Sequence, residues 1–307
     1  MPAPDDARPR AYALLGRLYL GGPTPEVLPI LRAVPGLAET LGGSLDADAA
    51  AADHHHVLGH SIRPYASVFL DAEGRFGGRA TEHAHAFFRE GGADDPRADE
   101  PPDHLGRALG FLGHLAATGR LALLRRFLDA HLLGWLPPLT CALERQPHPF
   151  YAALGALTRD LVLDHRVDLD PAPAADPLPL PPPPALLDDA RAGLKDIAAY
   201  LATPAWSGLY LSRDDLAALG RATTLPTGFG PRSLLLANLL RSAATYDALP
   251  PLLDGIRAHL AAWRAYFDGL PPLPVLGPIR AAWQARLDGT DALLARLHAA
   301  GLEAPDS

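Results

Sequence analysis

Asp103 and His104 stand where their chemistry is constrained. They follow Pro101-Pro102 and precede a leucine-striped segment. The prolines fix the approach, so Asp103 is placed to cap the exposed amides of the following helix, with His104 in its first turn. His131 is the second such residue. Phe127 precedes it by four positions and Trp135 follows it by four, which puts all three on one helical face. A neutral imidazole on an apolar stripe must find a hydrogen-bond partner. Asp103, Asp129 and backbone groups of the N-terminal region are the candidates, and Cys141, beyond Pro137-Pro138, is not positioned as a nucleophile beside it.

His54, His55, His56 and His60 have the look of a metal cluster, since His56 and His60 share a face at i,i+4. No HExxH pattern accompanies them, Asp53 is the only adjoining carboxylate, and Arg63 is close by, so a polar helix end is the preferred reading. Glu82, His83 and His85 precede Phe87-Phe88 and read as solvated side chains beside a core aromatic pair. GxGxxG, GxxxxGK[ST] and GxSxG patterns are all absent, which removes the usual support for dinucleotide, mononucleotide and serine-hydrolase chemistry. No catalytic residue, metal site or cofactor is therefore expected.

The stretch Arg63-Pro64-Tyr65-Ala66-Ser67-Val68-Phe69-Leu70 is aromatic and apolar with a serine at its centre. The turn Asp71-Ala72-Glu73-Gly74 follows. Short extended structure against a helical body is expected, with Tyr65 and Phe69 either anchoring the core or lining a groove. A helical chain with an aromatic-lined groove suits an amphipathic or apolar peptide.

The elements that must hold these residues are helical. Apolar residues make up 48% of 307, enough for a substantial core, and β-branched residues are sparse. Leucine spacing gives helices at 11–20, 105–116, 121–135, 149–164, 186–201, 212–220, 232–246, 252–267 and 278–300, with a broken apolar element at 25–41. Pro137-Pro138 is expected to stop the helix that ends at Trp135. Ser212 followed by Asp214 and Asp215 reads as an N-cap with acids in the first turn. The 33 prolines concentrate in the run from Asp168 to Pro184, a stiff extended connector. The expected organisation is an N-terminal helical part (1–167), a connector (168–185) and a C-terminal helical part (186–307) packed on the first.

A net charge of −8 argues against nucleic acid as a partner, and the single cysteine excludes an internal disulfide. The start MPAPDDARPR has no apolar core, and no segment offers about 20 apolar residues free of charge and proline, so a cytoplasmic protein without stable membrane insertion is expected.

Four segments, in order and spacing, resemble the TorD/DmsD/NarJ group of redox-enzyme maturation chaperones. They are PYASVFLDAEG at 64–74, EPPDHL at 100–105 with its helix through Leu115, FLDAHLLGWLPPL at 127–139 and FYAALGALT at 150–158. The resemblance implies an all-α, multi-helix bundle of the TorD-like type, extended here by the connector and extra C-terminal helices. It implies a cytoplasmic chaperone, not an enzyme. Such a chaperone holds the twin-arginine signal peptide or the core of an immature molybdenum or tungsten oxidoreductase subunit of the DMSO-reductase type until its molybdopterin is inserted. By the same resemblance Tyr65, Ser67, Asp103, His104, His131 and Trp135 would bind the client. Phe69 joins them as a groove residue and Asp129 as a second carboxylate for an arginine guanidinium. The group usually carries an acid after DHL, in an ELxFL arrangement, which Ala108-Leu109-Gly110-Phe111-Leu112 lacks. Two other classes stay open: a fixed structural or adaptor subunit of a redox complex, and a helical metalloenzyme built on the histidine cluster. The chain is expected as a monomer or as a domain-swapped dimer exchanged through the connector.

Overall fold

Why the N-terminal half forms a layered helical body is clearest at the first helix, α1 (Arg8–Gly21), which lies against α6 (Leu105–Ala117). Gly16 and Gly106 face each other across this pair so closely that a Cβ on Gly106 would stand 2.7 Å from the carbonyl oxygen of Gly16. Only hydrogens fit between the two backbones there, and the close approach lets Leu15, Leu18, Leu109 and Leu112 bury completely or nearly so. The same α1 is tied to α9 (Pro149–Val167) through Tyr12 Oη to His165 Nδ1 (2.9 Å) and Tyr19 Oη to Thr158 Oγ1 (3.1 Å).

A computed structural model describes residues 7–42, 45–72, 77–95, 97–186 and 191–302. They are all-α, and the one β-type pairing among them is an isolated bridge between Tyr65 and His104. Between α1 and α6 come α2 (Leu28–Leu31), α3 (Ala47–His54), α4 (Ala66–Leu70) and α5 (Arg79–Gly91). After α6 come α7 (Leu121–Phe127), α8 (Leu136–Glu144) and α9. Two wider π turns are inserted, His55–Ser61 after α3 and Leu128–Leu132 after α7. Contacts divide the chain into two compact units. The first holds 1–71, 75–179 and 273–276, and the second holds 72–74, 180–272 and 277–307.

Several boundaries differ from the sequence expectations. The helix expected to run from 121 to 135 changes to π geometry at Leu128, where the Leu133 amide donates to the Leu128 carbonyl five residues back. Pro137-Pro138 do not close that helix from inside. They occupy the first turn of α8, where amide donors have no intrahelical acceptor and proline therefore costs nothing. The apolar element at 25–41 reduces to α2 and a 3-10 turn, Ala38–Thr40. The segment after Pro64 is extended only at Tyr65, and Ala66–Leu70 is helical. The expected turn residues Glu73 and Gly74 lie outside the described residues, as do 187–190.

The connector is not a free spacer over its first part. Asp129 accepts the Ala174 amide (2.8 Å), the Ala130 carbonyl accepts the Leu178 amide (3.0 Å), and Arg166 donates to the carbonyls of Asp170 and Ala172. Residues through Pro179 consequently belong to the first unit.

In the second unit the helices are α10 (Leu194–Ala202), α11 (Pro204–Ser207), α12 (Arg213–Ala222), α13 (Arg232–Thr245), α14 (Leu249–Asp268) and α15 (Leu276–Leu302). The helix expected from Leu186 begins only at Leu194, because Gly193 breaks it and Asp196 caps the new start by accepting the Gly193 amide. Ser212 caps α12 as expected, its hydroxyl accepting the Asp215 amide while Asp215 accepts the Ser212 amide. Trp263, Phe267 and Trp283 are buried together at the α14–α15 contact, with Phe267 and Trp283 stacked at 6.2 Å.

Candidate functional site

The extended residue Tyr65 pairs antiparallel with His104, and this pairing joins the two motif segments. The Leu105 amide donates to the Pro64 carbonyl (2.8 Å), and the Ala66 amide donates to the Asp103 carbonyl (2.9 Å). Asp103 does not cap the helix that follows it. Its Oδ2 accepts the Ser67 amide (3.1 Å) and the Ser67 hydroxyl (2.7 Å), so it caps α4, which comes earlier in the chain. The cap of α6 is His104, whose Nδ1 accepts the Gly106 amide (3.0 Å). That bond needs a bare Nδ1, and burial, followed by the nearby charges of His54 and Arg107, pushes the His104 imidazole down to about 3. His104 is thus neutral with its proton on Nε2.

Asp103, Ser67 and Phe69 are fully buried and His104 nearly so; Tyr65 is half-buried. Tyr65 meets His104 edge-on at 4.8 Å and donates its hydroxyl to Glu100 Oε2 (2.6 Å). Burial first, then the hydrogen bond and charge of Glu100, raise the phenol, so it stays protonated. Arg107 reaches back to the Glu100 carbonyl (3.2 Å). The part of this constellation that meets solvent is therefore Tyr65, Glu100, Pro101 and Arg107. Glu100 and Arg107 escaped the sequence reading because neither lies on an apolar stripe; the glutamate beside the double proline was the available signal.

His131 and Trp135 lie in the interior. Phe127 stacks on His131 at 5.3 Å, and Trp135 stands across both His131 and Phe69 at 6.3 and 6.4 Å. The partner of His131 is neither Asp103 nor Asp129. It is His83 on α5, with the two Nδ1 atoms 3.3 Å apart, so one ring donates and the other accepts. Burial, and then the charge of His83, pushes the His131 imidazole down to about 3; burial, and then Arg79, lowers His83 as well. His83, expected as a solvated side chain, is instead half-buried against Phe87.

Asp129 is also buried and occupied. Arg166 engages it through two bonds of 2.7 and 3.1 Å, and the connector amide at Ala174 adds a third. Fully buried, it presents no surface to an incoming guanidinium. The eight residues singled out from sequence are therefore brought into one region around α4, α6 and the π turn, but seven of them (Ser67, Phe69, Asp103, His104, Asp129, His131 and Trp135) are buried. They hold the surface at Tyr65 and Glu100 in place instead of forming it.

The π turn rearranges the early histidines. His55 and His60 come together, with rings 4.3 Å apart, because the wider turn brings i and i+5 into register. His54 turns away to the Tyr19 carbonyl (3.1 Å). Among the described residues no group of three or more metal-capable side chains converges.

Comparison with known proteins places this region. Residues 24–140 match the nitrate reductase delta subunit family. The chain is 37% identical over 98 residues to the Tat proofreading chaperone DmsD of Salmonella typhi, covering 31% of this chain and 48% of that protein. It is 31% identical over 106 residues to the chaperone protein TorD of Shewanella oneidensis, covering 32% and 49%. The match thus spans about half the length of these curated relatives and about a third of this chain. Over that third, the sequence matches TorD/DmsD-type redox-enzyme maturation chaperones.

Proposed function

We propose that the chain is a cytoplasmic maturation chaperone that holds an unfinished redox-enzyme subunit. The finer reading is a catalytic subunit of a molybdopterin-dependent oxidoreductase of the DMSO-reductase type, gripped through its twin-arginine signal peptide or its core until the cofactor is in place. The observation that carries this reading is the Tyr65–His104 bridge. It welds PYASVF to PPDHL into one half-exposed surface inside the 24–140 segment that matches the delta-subunit family, and it is supported from below by buried side chains. A surface of that kind binds; it does not turn over substrate. The chain needs no cofactor of its own for this, and no described helix is long and apolar enough to cross a membrane.

The physical basis is an aromatic anchor beside acids. A signal peptide with a basic end and an apolar stretch would desolvate against Tyr65 and Pro101, while the net charge of −8 steers and orients it. The buried carboxylates contribute through the fold, Asp103 Oδ2 by holding α4 and Asp129 by holding the connector.

The test is affinity capture from the native cytoplasm with the co-purifying proteins identified, using the full chain and a Tyr65→Ala variant. Recovery of a molybdenum-enzyme precursor with its signal peptide, reduced about tenfold or more by loss of the aromatic anchor, is the expected result. Equal recovery by both forms of mature, cofactor-loaded partners would favour the fixed-subunit reading, which the delta-subunit name of the matching family keeps in view.

A further inference from the structure

A cleft of about 220 Å³ lies between α3 and the start of α9. One wall is aliphatic, with Leu41, Leu45 and Ala49; the other carries Asp53, His148 and Tyr151. The cavity is smaller than the roughly 300–1,000 Å³ of sites for whole small molecules. It has room for one long side chain.

Its polar groups are acceptors. Asp53 pairs with His148 Nε2 at 3.1 Å and keeps half its side chain exposed. With Nε2 donating, the neutral tautomer of His148 presents a bare Nδ1, which has no protein partner. Asp46, at the start of α3, accepts two amides through Oδ1 only. Tyr151 is 1% exposed, lines the cleft, and its buried hydroxyl has no hydrogen-bond partner from the protein. No lysine or arginine is among the lining residues. The starts of α3 and α9 bring about half a positive charge each, which the two carboxylates outweigh.

We propose that this cleft seats an arginine side chain of a bound polypeptide, the guanidinium donating to Asp53 and Tyr151 and the methylene stem lying on Leu41, Leu45 and Ala49. A guanidinium supplies several donors in a fixed plane, as an array of acceptors with an aliphatic wall requires. His54 lies between the seat and the motif segment. The His54 ring is 6.4 Å from Tyr151, and His54 is also near enough to His104, the partner of Tyr65, to contribute to lowering its pKa. The inference rests on the polypeptide-binding reading above.

Two titrations of the full chain test it. In the first, arginine amide alone is added while the His148 ring signals are followed by NMR. In the second, calorimetry compares a synthetic peptide carrying an arginine pair and an apolar stretch with the same peptide bearing citrulline. The wild type should show saturable shifts at His148 and prefer arginine over citrulline at least tenfold. Asp53→Asn should lose both, and so should Ala49→Phe, which fills the cleft from an exposed helical position. Arginine preference retained in both variants overturns the seat while leaving polypeptide binding intact. Saturable arginine-amide shifts without peptide binding overturn the chaperone reading and keep the seat, and absence of both overturns the two together.

Discussion

Asp129 and Arg166 form an ion pair that is 0% and 2% exposed, and both charges also bond connector backbone. Removing one partner leaves the other charged in the interior, which typically costs about 3–5 kcal/mol. Asp129→Ala should therefore lower the urea midpoint sharply and expose the connector to proteolysis near Ala174; a stability within about 0.5 kcal/mol of wild type would show the pair to be ornamental. His104 and His131 act in the opposite sense. Both are neutral when folded, pushed down to about 3, whereas in the unfolded chain they protonate near the ordinary histidine value of 6.5. The unfolded state thus binds more protons between pH ~6.5 and ~3, so stability falls as pH is lowered through that window. His131→Phe, which keeps an aromatic ring against Phe127 and Trp135, should flatten the acid slope by about one proton in urea titrations at pH 7 and 4.5. The importance of His131 was legible from its i−4 and i+4 neighbours. Its partner was not, because His83 sits on another helix and nothing local marks a contact across 48 positions.

At the scale of elements, the critical contact is the backbone-to-backbone approach of α1 and α6, which sets where His104 and Gly106 begin the motif helix. Gly106→Ala would drive a Cβ to 2.7 Å from the Gly16 carbonyl and push the helices apart. Overpacking of this kind costs about 1–3 kcal/mol, and it should also shift the Tyr65–His104 bridge, readable as faster hydrogen exchange at the Ala66 and Leu105 amides. Unchanged exchange with reduced stability would mean that the helix contact and the motif surface are independent. Leucine spacing made the long helices α1, α6, α9 and α12 to α15 readable, but not α3, α4 or α8. The π turns at His55 and Leu128 were not, since a one-residue widening leaves the apolar pattern almost intact while changing which neighbours meet. The PYASVF segment was misjudged for a related reason: its β-favouring residues form a helix because Asp103, far along the chain, caps it.

For the molecule as a whole, composition indicated a large acidic helical protein, and the proline run indicated a stiff extended connector. Proline content could not show that 168–179 is strapped to the first unit by Arg166, Asp129 and Ala130. It marks stiffness, not attachment. The account's central claim is that the surface joined by the Tyr65–His104 bridge receives an unfinished redox-enzyme polypeptide. The most direct measurement places a photo-crosslinking phenylalanine analogue at Tyr65 in the full chain, illuminates it in the native cytoplasm and identifies the attached peptide. The account predicts adducts to the signal peptide or cofactor-free core of a molybdenum-enzyme precursor. Adducts only to mature, assembled subunits, or none above those from an exposed position such as Tyr246 in the second unit, would contradict it.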